Sequence, residues 1–382
     1  MAAIRSKILL LYGTRPEAIK MAPVVEALRR RPERFDLTVC TTAQHRGMLD
    51  QVERVFCLRP DVDLDLMRDD QALNDLAARA LAAIDQVLGE REPDWLLVQG
   101  DTTTAMAGAL AGFHRGVRVG HVEAGLRTGD LGAPFPEEAN RRIADLLATA
   151  CFAPTDRARR ALLAEGVAAE RIHVTGNTVV DALASAAARL PAAAPDPAPG
   201  GEVLVTVHRR ESFGAPLAEI VAALAELAGA FREVRWIFPV HPNPNVRALA
   251  GRRLGGLPNF ELHEPFDYLE LVRRLRRARL VVTDSGGLQE EAPTFSKPVL
   301  VLREKTERPE GIAAGVARLV GTERGRIVAE TSRLLTDREA YRSMASPGNP
   351  YGDGFAAERI IAVLAGCPFV PFVPDGAAAC RG

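Results

Sequence analysis

Asp101, Glu123 and Glu137 are the side chains in this sequence best placed to move protons. Asp101 comes directly after the apolar run in "DWLLVQG", and Glu123 directly after "VRVGHV". Glu137 opens "EEANRRIADLL", behind the turn-forming "PFP" and beside Glu138. One acid in such a position is commonly a helix cap or a complement to the helix dipole, and one of Glu137 and Glu138 is expected to be only that. Acids at the ends of neighbouring strands converge on one point, which capping does not explain. Such a group can give and take protons.

A second set of residues suits an anion. Arg15 and Lys20 in "LLLYGTRPEAIK" place two cations near a helix start, with Pro16 at the expected first helical position. Cations there oppose the dipole preference, which points to anion handling. His208, Arg209 and Arg210 follow "LVTV", and His241 follows "FPV" in the same manner. The segment "VVTDSGGLQEEA" ends a strand, turns on Ser285, Gly286 and Gly287, and opens a helix. Its backbone N–H groups suit phosphate oxygens, and Glu291 one turn on suits two ribose hydroxyls. Arg308 in "TERPEG" lies within reach of a diphosphate. The pattern is neither GxxxxGK[ST] nor GxGxxG after the first strand, so neither a P-loop nor a nicotinamide site is expected. No metal-ligand spacing appears, so the expectation is no metal and no organic cofactor, with Arg and Lys meeting the phosphate charge.

The elements that must position these residues alternate short apolar runs with longer helical patterns. Strands are expected at "KILLLY", "FDLTVCT", "DWLLVQG", "VRVGHV", "ACFAP" and "IHVTG". Helices are expected at 16–31, 71–90, 102–115, 137–148 and 156–165. Continuous apolar strands imply a parallel sheet covered on both faces, hence an α/β class. A Pro/Ala/Gly-rich stretch, 186–201, reads as a linker. Beyond it the rhythm restarts with "VLVTVH", "VRWIFPV", "NFELH", "LVVTDS", "PVLVLR" and "ARLVG". The expected organisation is therefore two Rossmann-like domains, 1–185 and 202–354, facing across a cleft. A C-terminal helix at about 355–367 is expected to pack back on the first.

Composition sets the outer bounds. The 382 residues exceed one ordinary core, and 47% are hydrophobic. A formal net charge of -1 gives no drive toward nucleic acid or an anionic membrane. Five scattered cysteines without a CxxC pair read as reduced thiols. The first apolar run is too short for a signal peptide and no run approaches a membrane span, so the expectation is a soluble cytoplasmic protein.

The motifs "GTRPEAIKMAPV", "QGDTTTAMAGAL", "GHVEAGLRTGD", "PFPEEANRR", "GNTVVDAL", "TVHRRESFG", "PVHPN", "DSGGLQEEAPTFSKPVLVLREKTERPEG" and "NPYGDG" occur in that order. Together, from residue 13 to about residue 360, the chain resembles the non-hydrolysing UDP-N-acetylglucosamine 2-epimerases. The resemblance implies a GT-B-like fold, a homodimer, and inversion at C2 of UDP-GlcNAc to give UDP-ManNAc, a precursor of cell-envelope polysaccharide. The implied route eliminates UDP to leave 2-acetamidoglucal and then adds UDP back. The implied catalytic set is Asp101, Glu123, Glu137 and His208, with Asp101 and Glu137 as the proton-handling pair. The implied UDP contacts are Arg15, Lys20, Phe266, Leu271, Ser285, Gly286, Gly287, Glu291 and Arg308. A second UDP-GlcNAc acting as an allosteric activator would meet Gln44, Arg68, Arg209 and His241, while Gly47 stands where some members carry a longer polar side chain.

Rival readings share much of this pattern. A 2-epimerase for another UDP-2-acetamido sugar, such as a 2,3-diacetamido uronate, would differ near "DLGAPFP", residues 130–136. A hydrolysing epimerase would release free ManNAc. A GT-B glycosyltransferase shares the nucleotide grip but needs an acceptor site. A nucleotide-sugar sensor would not need convergent acids.

Overall fold

A computed structural model describes residues 5–43, 46–66, 68, 71–191, 200–209, 213–345 and 348–374. The chain forms two compact units, Met1–Ser185 with Tyr351–Gly382, and Ala186–Pro350.

In the first unit β1 (Ser6–Tyr12), β2 (Phe35–Thr41), β3 (Val62–Asp63), β4 (Trp95–Gln99), β5 (Arg118–Val122), β6 (Ala150–Ala153) and β7 (Ile172–Val174) form one parallel sheet. The helices between them are α1 (Arg15–Arg29), α2 (Arg46–Phe56), α3 (Leu73–Arg91), α4 (Thr103–His114), α5 (Glu137–Leu147), α6 (Asp156–Ala164) and α7 (Thr178–Ala188). The strand order is β3-β2-β1-β4-β5-β6-β7. That is the doubly wound order, with its reversal between β1 and β4, where ligands bind at the carboxyl ends. All five residues of β4 are buried, as covered parallel strands require. Leu9, Leu11, Leu96, Val98 and Val119 pack under α3 and α4 residues such as Ile84 and Ala107.

The second unit repeats the plan. Its strands are β8 (Glu202–Thr206), β9 (Arg235–Pro239), β10 (Phe260–His263), β11 (Ala278–Thr283), β12 (Val299–Val301) and β13 (Ala317–Leu319), in the order β10-β9-β8-β11-β12-β13. Its helices are α8 (Ala215–Ala230), α9 (Pro244–Leu254), α10 (Tyr268–Arg277), α11 (Gly286–Glu291), α12 (Pro309–Ala313), α13 (Arg324–Thr336) and α14 (Arg338–Met344). The reversal falls between β8 and β11. Trp236, Phe238, Val203 and Val282 centre the core. Both units are parallel-sheet α/β, the class expected.

The chain re-enters the first unit at Tyr351. α15 (Ala356–Leu364) then packs on α1, where Glu358 meets Arg30 at 3.0 Å and Arg31 at 2.6 Å. Asp181 of α7 accepts the N–H groups of Ala356 and Ala357 at 3.2 and 2.9 Å, satisfying orphan donors at the helix start.

Three local differences from expectation have simple causes. α1 begins one residue before Pro16, because the Glu17 carboxylate accepts the Thr14 N–H at 2.7 Å and fixes Thr14 as the cap. α7 runs to Ala188, into the stretch expected as linker, because alanine suits a helix as well as a linker. β3 is only two residues long and carries no periodic signal. Among the described residues no helix is long and apolar enough to cross a membrane.

Candidate active site

Asp101 follows Gly100 at the end of β4, and Glu123 follows β5 directly. Glu137 is the first residue of α5, where the dipole favours a carboxylate. Asn140 and Arg141 lie three and four residues on, so they share its helix face. Both hold Asp101: Asn140 Nδ2 donates to its carbonyl at 3.0 Å, and Arg141 Nη2 pairs with its Oδ2. One helix therefore carries one acid and clamps another.

Glu137 and Glu138 have opposite environments. Glu138 is fully buried and saturated. It accepts from Arg141 at 3.1 Å, from Arg142 at 3.3 Å, and from the N–H groups of Thr128 and Gly129 at 3.2 and 3.3 Å. Its work is to hold the loop after β5. Glu137 Oε2 is buried and has no hydrogen-bond partner. A carboxylate oxygen kept from both water and donors costs about 1–3 kcal/mol, so it needs an explanation in function.

Glu123 has φ +69°, the left-handed region that a residue with a Cβ seldom adopts. Such strain costs roughly 1–3 kcal/mol and gathers at functional sites. The side chain is buried, with Lys20 Nζ against Oε2 and Asn177 Nδ2 donating to the same oxygen at 3.0 Å. Lys20, expected among the diphosphate cations, therefore has its charge met by Glu123. Arg15 is half-buried at the first position of α1.

Glu17, outside the expected set, lies at the β1–β4 reversal. It accepts the Gly13 N–H at 3.1 Å, the Thr14 N–H at 2.7 Å and the Thr102 hydroxyl at 2.7 Å, next to Asp101. Burial pushes its carboxyl up to about 7, against the pull of those donors.

At the second reversal, Asp284 follows β11 directly and is fully buried. Its Oδ1 lies 2.9 Å from His208 Nδ1, and its Oδ2 accepts the backbone N–H groups of His208 and Arg209, each at 2.9 Å. Burial raises its carboxyl, but the His208 bond and charge carry it below the usual range. A carboxylate on Nδ1 fixes the ring and leaves Nε2 to face another partner. The His208 and His241 rings stack at 6.2 Å.

Ser285 caps α11, with Gly286 and Gly287 its first residues. A Cβ on Gly286 would stand 3.5 Å from Arg209 Nη2 and 3.6 Å from Arg308 Cζ. Two guanidiniums thus flank a glycine at a helix start, a cradle for an anion. Glu307 holds them, at 3.0 Å from Arg209 and 3.3 Å from Arg308, and takes Arg303 at 2.6 Å. Burial raises Glu307, yet Arg308, Arg209 and Arg303 bring it down to about 2. Glu290 Oε1 receives Arg308 Nε at 2.8 Å, and Glu291 is buried at the end of α11. Arg209, expected in the second UDP-GlcNAc site with His241, lies beside Arg308 across Gly286. Phe266 is half-buried, with the His263 ring 5.2 Å away and Arg274 over its face at 5.7 Å, and Leu271 is half-buried on α10. Arg68 is exposed on the first unit, and Gln44 and Arg210 lie outside the described residues.

The sequence reading missed Asp284, Glu307, Arg141 and Asn177. Asp284 had the same signal as Asp101, an acid at a strand end. Arg141 had helical spacing from Glu137. Asn177 had none, since its loop follows a different strand.

The family model described as UDP-N-acetylglucosamine 2-epimerase matches residues 26–365. The UDP-N-acetylglucosamine 2-epimerase of Escherichia coli K12 is 50% identical over 372 residues, covering 94% of this chain and 98% of that protein. The Bacillus subtilis protein of the same name is 45% identical, covering 94% of each. A crystal structure of the Neisseria meningitidis UDP-GlcNAc 2-epimerase bound to UDP-GlcNAc superposes with TM-score 0.88 at 42% identity, covering 94% of this chain and 99% of that one.

Proposed function

The chain belongs to the UDP-N-acetylglucosamine 2-epimerase family, and from that premise we propose that it interconverts UDP-GlcNAc and UDP-ManNAc by eliminating UDP and adding it back. The C2 proton of the sugar is barely acidic, so removal is easier when the C1–O bond breaks in the same sense. A carboxylate takes the proton, the C2–H pair becomes the C1=C2 bond, and the C1–O pair leaves on the β-phosphate of UDP. The products held at that point are UDP and 2-acetamidoglucal. Return of a proton to the opposite face of C2, with attack of the UDP oxygen on C1, gives the epimer.

Asp101 and Glu137 are the pair that handles the proton. Glu123, fixed by Lys20 and Asn177, stabilises the positive charge that develops as C1–O breaks. His208, oriented by Asp284, assists the leaving diphosphate, whose charge Arg209 and Arg308 take up around Gly286. Arg15, Phe266, Leu271, Ser285, Gly287 and Glu291 complete the UDP contacts, with Phe266 and Leu271 at the uracil. The observation that carries the reading is Glu137 Oε2, buried without a partner on the helix that clamps Asp101. A proton carrier needs an oxygen without a donor, which Glu138, met by Arg141, Arg142, Thr128 and Gly129, lacks. The family premise extends to a homodimer and to a second UDP-GlcNAc as activator, near Arg68 and His241.

Proton NMR of the purified protein with UDP-GlcNAc in deuterated buffer tests the reading. The expected result is UDP-ManNAc with deuterium at C2. Free ManNAc with UDP would establish hydrolysis instead, and no exchange at C2 would overturn the substrate assignment. A lag from UDP-ManNAc that trace UDP-GlcNAc abolishes would establish the activator.

A further inference from the structure

We propose that His121 and Asp145 are positioning residues that set the spacing of the Asp101, Glu123 and Glu137 carboxylates. The proposal rests on the reading above that these three acids act on the sugar. Neither residue can touch a ligand, because both are fully buried. Their bonds reach every element that carries one of the acids. His121 Nε2 lies 2.7 Å from the Gly100 carbonyl, one residue before Asp101. His121 Nδ1 lies 2.6 Å from Asp145 Oδ1. Asp145 Oδ2 accepts the Gly125 N–H at 3.2 Å. Glu123 thus stands between His121 and Gly125, two residues that the same carboxylate fixes. Asp145 is itself on α5, on which Glu137 is the first residue. One pair of side chains ties the ends of β4 and β5 to α5.

The Gly100 carbonyl only accepts, so Nε2 carries a hydrogen. With Asp145 ionised, Nδ1 carries one as well and His121 is an imidazolium. Burial lowers its pKa, but Asp145 and the Gly100 carbonyl leave it raised. Burial raises Asp145, which His121 and Arg127 bring below the usual range. The pair continues outward: Arg127 Nη2 lies 2.8 Å from Asp145 Oδ2 and 2.6 Å from Glu165 Oε2. Two cations and two anions alternate, so the frame is neutral as a whole. Buried charges that are paired and bonded to backbone hold one geometry strictly, because any shift leaves a charge uncompensated. Arg171 holds the other end of α5, donating to the Leu146 carbonyl at 3.1 Å, so the helix is pinned beyond Asp145 as well.

Misplacement of catalytic groups by an ångström can cost about 100-fold. His121→Asn, which shortens the side chain and breaks both ring contacts, is expected to lower kcat by about that factor. KM and the UDP affinity should stay within about threefold, because no UDP contact is touched. The ratio of C2 deuterium exchange to net inversion should rise several-fold, because misplaced acids return the proton to the face it left. A purely structural role would not move that ratio. A variant whose kcat per UDP-binding protomer is within about twofold of wild type, or whose activity loss follows loss of folded protein at an unchanged ratio, overturns the proposal. Arg127→Lys, at the half-buried outer end of the frame, is the variant to read if His121→Asn does not fold. It should show a smaller change of the same sign, and an unchanged ratio there counts equally against the proposal. If wild type leaves UDP-GlcNAc untouched, the functional reading fails rather than this one. The variants are then read on the UDP-2-acetamido sugar that wild type does exchange. Selective 15N histidine NMR of wild type gives a separate arm: His121 should keep both ring hydrogens at neutral pH, and a neutral tautomer overturns the frame.

Discussion

The ammonium of Lys20 is packed against Oε2 of Glu123, with both side chains buried. The pair joins α1 to the residue after β5. Removing one member strands the other charge, which costs about 3–5 kcal/mol, whereas removing both costs far less. Lys20→Met is therefore expected to lower the thermal midpoint strongly and to reduce turnover. Adding Glu123→Gln should recover most of the midpoint, since Gln still accepts from Asn177. It should not recover turnover, since the carboxylate is gone. Thermal unfolding and kcat on the two variants check both statements.

Glu137→Gln and Asp101→Asn should each cost about 10²- to 10⁴-fold in kcat, the range for a lost acid or base. UDP affinity, read by titration calorimetry, should be nearly unchanged. Glu138→Gln should behave differently. Its four donors meet a poorer acceptor, so stability falls by about 1–3 kcal/mol and the chemistry suffers only through the loop it holds.

Gly286→Ala separates binding from folding. The new methyl finds ordinary contacts, the nearest at 3.5 Å from Arg209, so the thermal midpoint should hold. It would occupy the space between the guanidiniums of Arg209 and Arg308 that the diphosphate is proposed to fill. UDP affinity should drop by about tenfold or more, the worth of roughly one charge-assisted bond.

Glu17 gives a pH signature. Its folded pKa is about 7, above the roughly 4.3 of an unfolded glutamate. Its contribution is fully present below the unfolded value and is lost as pH rises through the folded one, because the unfolded chain ionises first. Glu17→Gln retains an acceptor for Gly13 and Thr14 and does not ionise. The variant should therefore gain thermal stability relative to wild type between pH 5 and pH 8. A difference that stays constant over that interval would refute the assignment.

Both sheets were legible in the sequence because covered parallel strands are continuous apolar runs, such as "LLLY" and "LVVT". Asp101 and Glu123 stand out because each comes just after such a run, and acids at the ends of neighbouring strands converge where a single cap would not. What lay hidden was pairing. Lys20 and Glu123 are far apart in sequence, and nothing local says that the lysine pairs with this acid. Glu307 brings Arg209 and Arg308 together, a pairing that depends on where the loop after β12 closes. His121 looked like one more residue of an apolar strand, because its partners arrive from α5 and from the neighbouring strand end. α2 carries apolar residues at helical spacing, but it begins beside residues with no such pattern.

The return of the chain at Tyr351 has a consequence for synthesis. The Tyr351 carbonyl accepts the Asn177 N–H at 2.7 Å, and Asn177 in turn holds Glu123. On the ribosome, the first unit must wait for Tyr351, so a nascent chain halted at residue 340 includes all six strands of the second sheet but lacks the carbonyl that holds the Asn177 N–H. Domains usually fold in the order of their emergence. Here the unit that starts earlier takes its remaining residues from beyond the second, and activity should appear only once Tyr351 and α15 have been released.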